Sequence, residues 1–367
     1  MNIAITGSDG FLGKNFYVFL KYSSKHKIFL INKTTSKKNF INILSISDIV
    51  FHFAGSNREN KKEYFIKNNI KLTEEILKIL EQKQNSTKLI FASTSQVENK
   101  NVYGISKVKA ENILLKRKFK KKIQVLILRL PNLFGKWSKP YYNSVISTFC
   151  KQAVLNKPLK IHEEKIIKFL YIDDIIKFLF SIIKKKTKNK IINKFSGEVK
   201  ISLSKLKYTI ENFKNLKDDE IPNQISNKFI KNLYSTYLTF VDLKNIKKKL
   251  KSHKDHRGNF VEIIKNKKFG QISYISIKPG KTRGSHFHMT KTERFYLLEG
   301  RVKFIFKNLY NNRFYSKVLD TRDFEFVCTI PGTLHKLINT EKKDAKLIIW
   351  SNEIYDNKNH DTYSVNF

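Results

Sequence analysis

A chain of 367 residues that is 41% hydrophobic is long enough to bury two cores, which argues against one small domain. Two cysteines exclude a disulfide-stapled fold, and no apolar run approaches the roughly 20 residues that a membrane-spanning helix needs. The formal charge of +41 invites a nucleic-acid reading, but the lysines are spread over nearly the whole chain, as in Lys120 to Lys122, Lys184 to Lys188 and Lys247 to Lys251. They accompany abundant Ile and Asn, and no helix-turn-helix, zinc-finger or RNA-binding signature is present. The charge reads as a solvated surface that favours anionic ligands rather than as a nucleic-acid platform. Met1 is followed at once by strand-like residues with no basic leader, and Cys150 and Cys328 lie far apart, so a reducing cytoplasmic location is expected.

The first strand, Ile3 to Thr6, runs into Gly7-Ser8-Asp9-Gly10-Phe11-Leu12-Gly13. Gly7, Gly10 and Gly13 stand at GxxGxxG spacing, and an amphipathic helix follows through about Leu20. Strand, glycine-rich turn and helix in this order suit a pyrophosphate. The glycines let the backbone approach it, and the helix N-terminus offers free N–H groups and a positive dipole end. A second strand, Ile28 to Ile31, is predicted to end beside the adenosine ribose, where an NAD site places Asp or Glu. Here the chain reads Asn32-Lys33-Thr34-Thr35-Ser36-Lys37-Lys38. With no acid and several lysines, Lys33 first, the segment favours NADPH, whose 2′-phosphate a lysine can pair. The competing reading is that these lysines only share the general excess.

A third strand, Ile49 to Phe53, leads to the small-residue turn Ala54-Gly55-Ser56-Asn57-Arg58. A fourth, Leu89 to Ala92, ends in Ser93-Thr94-Ser95, and Tyr103-Gly104-Ile105-Ser106-Lys107 follows. Tyr and Lys at i and i+4 share a helix face. There the Lys107 ammonium lowers the phenol pKa of Tyr103 electrostatically. Tyr103 can then exchange a proton with a carbonyl or alcohol oxygen while a nicotinamide exchanges hydride, and the Thr94 hydroxyl can hold the same oxygen.

On these residues, positions 1 to about 185 resemble the extended short-chain dehydrogenase/reductase family of nucleotide-sugar enzymes. The resemblance implies a Rossmann-type, doubly wound parallel α/β sheet. It implies catalytic roles for Tyr103, Lys107 and Thr94, and cofactor contacts from Gly7, Gly10, Phe11, Leu12, Gly13, Lys33, Ala54, Gly55 and Asn69. Arg129-Leu130-Pro131-Asn132-Leu133-Phe134-Gly135 is similar to the family's segment beside the sugar nucleotide, which implies substrate contacts from Arg129 and Asn132. Lys136 and Lys139, just beyond it, suit a diphosphate. Tyr171-Ile172-Asp173-Asp174 is similar to the family's YxDD helix start. Thr94 departs from the commoner Ser but keeps the hydroxyl.

Leu203 to Phe213 has helical spacing and is expected to belong to a substrate lobe, whereas 186–250 otherwise carries no chemical signature. The domain boundary is expected near residue 248, with 1–248 as the dinucleotide domain and 249–367 as a second domain. From Asn259 the pattern turns to short alternating runs: Phe260 to Ile264, Gln271 to Ile277, Phe295 to Leu298, Val302 to Phe306, Phe324 to Cys328 and Leu347 to Trp350. Such runs predict an all-β sandwich or barrel. Residues i and i+2 of a strand point to one face, so His286 and His288 can present both imidazoles to one ion. Glu293 and His335 would complete a three-His, one-carboxylate set suited to a divalent metal, zinc first.

The spacing Gly280, five residues, His286-x-His288, four residues, Glu293, six residues, Gly300 resembles a cupin, a jelly-roll barrel. The second half departs: Pro331 to His335 is one residue short, and Arg322 sits where a glycine is customary, which leaves His335 the least secured ligand. A metal-free barrel with a histidine base is the competing reading. A reductase fused ahead of a cupin is similar to the bifunctional epimerase/reductases of capsular-polysaccharide synthesis. The stretches Gly135-Lys136-Trp137, Tyr142-Asn143-Ser144-Val145-Ile146, Ser235-Thr236-Tyr237-Leu238 and Asp361-Thr362-Tyr363 extend that likeness. It implies a UDP-linked 4-keto-6-deoxy-HexNAc substrate, C3 epimerisation in the cupin, NADPH-dependent C4 reduction to UDP-2-acetamido-2,6-dideoxy-L-talose, and a homodimer. The alternatives are a reductase or 4-epimerase with a purely structural cupin, and, from another class, a basic scaffold that keeps an inactive enzyme fold.

Overall fold

Strand β1 (Asn2–Thr6) turns Ile3 and Ile5 to one face and Ala4 to the other, and all three are fully buried. A strand apolar on both faces must be covered on both, which is the situation of a parallel sheet flanked by helices. The structure, a computed structural model, describes residues 1–57, 62–83, 86–98, 101–116, 123–185, 190–322, 324–356 and 360–365. They form two compact units: Met1–Lys214 with Asn232–Val241, and Asn215–Lys231 with Asp242–Phe367.

In the first unit β1 is followed by α1 (Phe11–Ser23), β2 (Lys27–Ile31), α2 (Lys37–Ile46) and β3 (Ile49–His52). A short α3 (Lys62–Phe65) passes through a π-helical turn, Ile66–Lys71, into α4 (Leu72–Glu81). Then come β4 (Thr87–Thr94), α5 (Val102–Lys116), β5 (Ile123–Leu130), β6 (Asn132–Phe134), α6 (Val145–Val154), β7 (Ile166–Tyr171), α7 (Ile172–Ser181), β8 (Lys190–Ile192), β9 (Val199–Ser202) and α8 (Leu203–Lys214). Helix α9 (Lys228–Leu238) brings the chain back to this unit. The main sheet is parallel in the order β2-β1-β3-β4-β5-β8. A small sheet, β6-β7-β9, stands apart.

The alternation of side chains builds two cores. Ile3, Ile5, Ile49, Phe51, Ile90, Leu126 and Leu128 pack with Phe16 and Leu20 of α1 and Ile175, Ile176 and Leu179 of α7. On the other face Ala4, Val50, Leu89, Phe91, Val125 and Ile127 pack with Leu44, Ile76, Leu77, Ala110 and Leu114. Chain order reverses between the neighbouring strands β1 and β3. The crevice outside the carboxyl ends of the strands at such a switch point is where open α/β sheets bind ligands.

The second unit is all β: β10 (Ser252–Asp255), β11 (Gly258–Asn266), β12 (Gly270–Ile277), β13 (Thr282–Phe287), β14 (Glu293–Glu299), β15 (Arg301–Asn308), β16 (Phe314–Asp320), β17 (Phe326–Cys328), β18 (Thr333–Asn339), β19 (Ala345–Ser351) and β20 (Tyr363–Ser364). They form two sheets, β10-β11-β12-β19-β14-β17 and β16-β15-β18-β13-β20, paired antiparallel throughout. Ile275, Ile277, Phe295, Val302, Phe304, Leu337 and Leu347 fill the core of this unit. This is the cupin-like layout expected from the strand pattern, with two differences. The predicted strand at Phe324 begins at Phe326, because Phe324 adopts a positive φ of 50° and is almost fully exposed. Strands β10, β16, β18 and β20 lie outside the predicted runs, their polar residues interrupting the apolar pattern.

One buried polar side chain anchors the first sheet. His52 ends β3 fully buried, with Nδ1 2.8 Å from Thr6 Oγ1 and Nε2 3.0 Å from Thr73 Oγ1. Burial, with the nearby Lys107 charge, lowers its pKa to about 3. The unfolded chain binds this proton near pH 6.5 and the folded chain does not, so stability falls as pH drops from about 6.5 toward about 3. Between pH 6.5 and 5 the His52 share of that loss is about 2 kcal/mol. We expect His52→Asn, although less stable at pH 7, to flatten the acid limb by about this amount. Urea unfolding at the two pH values measures it, and an unchanged pH slope would show that His52 does not carry the effect.

Candidate active site and metal centre

Each site grows from the end of a strand. Gly7 closes β1 at a φ of 67°, a conformation that favours glycine, and a Cβ there would lie 2.6 Å from Ala54 N in the turn after β3. A Cβ on Gly13 would stand 2.3 Å from Gly7 O. The turn is therefore closed against its own helix and against the β3 turn, and only glycines permit both approaches. Gly10 supplies no side-chain cap to α1, whose first-turn N–H groups are left for an anion. Phe11 and Leu12 open the helix, Leu12 in the core and Phe11 packed against it. Gly7, Gly10, Gly13 and Ala54 thus stand against one another at the carboxyl ends of β1 and β3, and Gly55 stands against Asn69.

Lys33 is exposed in the turn after β2. Asn32 occupies the position of the missing acid and spends its Oδ1 on Thr34 N at 3.1 Å and on the Thr34 and Thr35 hydroxyls, which fixes the turn. Arg58 lies outside the described residues.

Tyr103 and Lys107 stand one turn apart on α5. The Tyr103 phenol is hydrogen-bonded to the Thr94 side chain at the end of β4. Contrary to the lowering expected from Lys107, burial raises the phenol pKa, and the Thr94 bond works against that rise. Lys107 is buried with its ammonium 4.2 Å above the Phe91 ring. Desolvation lowers its pKa to about 7, and the Glu111 charge opposes that fall. Tyr103, Lys107 and Glu111 follow at i, i+4 and i+8, so one polar stripe of α5 faces the protein interior.

Three supports of this stripe were not read from the sequence. Glu111 is buried, accepts a 2.5 Å bond from Ser93 Oγ and pairs bidentately with Arg129, at 2.7 Å to Nη2 and 3.2 Å to Nε. Arg129, expected to touch substrate, is thus placed against Glu111. Asn69, expected to touch cofactor, sits on the π-helical turn. Its Oδ1 accepts from Ser56 N at 2.8 Å, and its Nδ2 donates to Ser56 O and to Ser106 Oγ, both at 2.9 Å. It joins the β3 turn to the Tyr103 helix. His52 is the third; its signal was a histidine at the end of a buried strand, and the spacing of Glu111 from Lys107 was the signal for the first. Asn132 donates to Lys168 O at 3.4 Å, Lys136 is ion-paired with Asp173, and Lys139 is exposed with its ammonium 5.5 Å over the Tyr142 ring.

In the second unit His286 lies on β13, directly opposite His335 on β18. A bulge interrupts that register between Gly284 and His286, and Ser285 takes a positive φ of 62°. Bulges re-aim side chains. Here His286, His288, Glu293 and His335 bring one ligand atom each to within 4.8 Å of all the others. The shortened second segment does not displace His335, because its register partner His286 fixes it.

The spacings suit a metal. His288 Nε2 lies 3.3 Å and His335 Nε2 3.5 Å from Glu293 Oε2. Tetrahedral ligands about 2.0–2.1 Å from zinc are roughly 3.4 Å from one another. His335 is fully buried, and neither ring nitrogen has a hydrogen-bond partner, a costly state for an imidazole that an ion would relieve. Burial, with the charges of the other histidines, lowers the His286 pKa to about 3, so its ring is neutral and able to ligate. The His288 bond, the neighbouring His335 imidazole and the Lys291 charge hold Glu293 well below the usual carboxylate range despite its burial. Lys291, not anticipated, places Nζ 3.1 Å from Glu293 Oε1.

Comparison with known proteins accounts for both units. Residues 3–193 match the NAD dependent epimerase/dehydratase family, and residues 253–363 match the polysaccharide biosynthesis C-terminal domain. The UDP-2-acetamido-2,6-beta-L-arabino-hexul-4-ose reductase of Pseudomonas aeruginosa is 32% identical over 365 residues, 99% of this chain and 98% of that protein. The crystal structure of the capsular polysaccharide assembling protein CapF from Staphylococcus aureus superposes with a TM-score of 0.91 at 32% identity, covering 100% of both chains. A UDP-glucuronic acid 4-epimerase from Bacillus cereus in complex with NAD shares the fold of the first unit, with a TM-score of 0.55 at 19% identity over 65% of this chain and 98% of that one. Among the described residues no helix is long and apolar enough to cross a membrane. The chain is a nicotinamide-dependent enzyme that belongs to the NAD dependent epimerase/dehydratase family and carries a polysaccharide biosynthesis C-terminal domain behind its dinucleotide-binding fold.

Proposed function

We propose that this protein is a cytoplasmic, homodimeric, bifunctional nucleotide-sugar enzyme. Its cupin unit inverts C3 of a UDP-linked 4-keto-6-deoxy-HexNAc, and its first unit then reduces the C4 ketone with NADPH to UDP-2-acetamido-2,6-dideoxy-L-talose. The observation that carries the reading is the presence in one chain of two sites for ketone chemistry: a phenol–hydroxyl–ammonium set beside a dinucleotide crevice, and a buried three-His, one-carboxylate cluster. The full-length likeness to a hexul-4-ose reductase supports the substrate class.

A divalent metal, zinc first, held by His286, His288, Glu293 and His335 would supply Lewis-acid polarisation of the C4 oxygen. Such polarisation would acidify the C3 proton. Inversion at C3 is a proton exchange, removal from one face and return to the other, with no net redox change. NADPH supplies the hydride for the second step. Tyr103 keeps its proton in the free protein, as burial requires, and so is poised to give it to the C4 oxygen as hydride arrives at C4. The phenolate that develops favours the charged form of Lys107 beside it. Thr94 holds the same oxygen by its hydroxyl, and Glu111 with Arg129 keeps the stripe in place. Lys33 pairs the 2′-phosphate, while Asn132, Lys136 and Lys139 border the sugar diphosphate.

Tyr103→Phe should lower NADPH oxidation by about 10²- to 10⁴-fold, the usual worth of a positioned proton donor, while solvent deuterium still enters C3. Normal NADPH oxidation by that variant would remove Tyr103 from the mechanism. Chelation or His286→Ala should do the reverse, abolishing deuterium uptake at C3 while NADPH binding is kept. Product formed in D₂O without label at C3 by the intact enzyme would reduce the cupin to a structural module. Lys33→Glu should weaken NADPH relative to NADH by about tenfold, the loss of one charge-assisted hydrogen bond of about 1.5 kcal/mol. Fluorescence titration with the two cofactors reads the ratio, and an unaltered ratio would leave Lys33 a surface residue.

A further inference from the structure

Two of the four clustered ligands, His288 and Glu293, flank a connection, 289–292, that belongs to no strand. A ligand pair on a free loop would not stand at 3.3 Å unless something else held the loop. Asp361, far away in sequence, does so. Its carboxylate accepts from three successive backbone N–H groups: Met289 at 2.8 and 3.1 Å, Thr290 at 2.7 Å and Lys291 at 2.8 Å. It also accepts from the Thr290 hydroxyl at 3.0 Å. Its backbone carbonyl is a short hydrogen-bond partner of His288 Nδ1. A carbonyl only accepts, so Nδ1 must carry the proton, and Nε2, the nitrogen near Glu293, keeps its lone pair for an ion.

The residues that follow brace the rest of the ligand strand. Tyr363 and Ser364 pair with Phe287 and His286, and Val365 N donates to Ser285 O at 2.9 Å. The Tyr363 ring stacks on Phe287 at 5.1 Å and 20°. Residues 361–365 thus touch the bulge residue Ser285, His286 and Phe287 at the end of β13, His288 just beyond it, and the loop that leads to Glu293.

We propose that Asp361 is a positioning residue of the metal centre, and that docking of segment 361–365 and metal binding are coupled, each strengthening the other. The proposal rests on the reading of His286, His288, Glu293 and His335 as a metal site. Coupling of two binding events is reciprocal, so a metal that needs the docked segment must itself tighten the docking. Asp361 is not one of the four clustered ligands. It acts through the tautomer of His288 and the path of the backbone between two ligands, and such outer partners set metal affinity by about 10- to 100-fold.

The test uses the full chain stripped by chelation and then titrated with zinc alone, in competition with a chromophoric chelator. Asp361→Ala should bind zinc about 10- to 100-fold more weakly than wild type. Asp361→Asn, which keeps one acceptor oxygen and the same backbone carbonyl, should lie between. NADPH affinity of both variants, a check on the first unit, should be unchanged. In the wild-type protein, zinc should slow amide exchange at Met289, Thr290 and Lys291 and at Tyr363, Ser364 and Val365. That experiment decides the matter even if the alanine variant does not fold. Wild-type zinc affinity in a folded Asp361→Ala protein, or zinc binding without protection of the C-terminal segment, would overturn the proposal. A wild-type protein that takes up no zinc would instead overturn the metal reading beneath it.

Discussion

Keeping ionisable side chains out of water is the constraint on which both sites depend. Lys107, Glu111, His52, Glu293 and His335 are all buried, and a buried charge without partners costs several kcal/mol. In the first unit the cost is offset inside the protein. Glu111 is shared by Ser93 and Arg129, His52 stands neutral between two threonines, and Lys107 lies over an aromatic face. In the second unit the offset is incomplete. Three imidazoles and one carboxylate converge, and the nitrogens of His335 are left unpartnered. The first site is a network whose polar groups satisfy one another, whereas the second gathers three imidazoles and a carboxylate that do not.

The finished network spans the sheet. Thr6 ends β1, supports Ala54 N at 3.2 Å and meets His52; His52 meets Thr73; Thr73 bonds Asn69 O at 2.7 Å; Asn69 holds Ser56 and Ser106; and Ser106 bonds the Tyr103 carbonyl at 2.7 Å. Small hydroxyls and one amide thereby tie the glycine-rich turn to the helix that carries Tyr103 and Lys107. Such chains fix geometry well because each member is satisfied in both directions.

Legibility in the sequence followed the reach of the interaction. The glycine triplet, the Tyr103–Lys107 pair and the strand alternation are local, and each stands in the structure where its spacing implied. The four ligands were legible as residue types, and the structure brings them together, but the means were not. The bulge at Ser285 and the cross-strand pairing of His286 with His335 depend on tertiary register, which spacing alone does not carry. Arg129 likewise has a partner that spacing alone does not carry. A cation near the sugar segment looked free for an anion, yet a carboxylate 18 residues earlier holds it. Asp361 was visible only as a match of motif, because its partners lie 70 to 72 residues away.

The π-helical turn at Ile66–Lys71 sets an unusual sensitivity to length. Such a turn holds one residue more than an α-helical turn, so removing a residue there would not break the helix but relax it to α-geometry. Everything on the N-terminal side would then swing by about 100° about the helix axis. Phe65, buried with its ring 6.3 Å from that of Tyr103, would leave its place, and α3 would turn a different face to α5. A one-residue deletion is harmless at most helix ends. In this stretch it would misalign the packing around Tyr103 while leaving helix content and overall size nearly untouched.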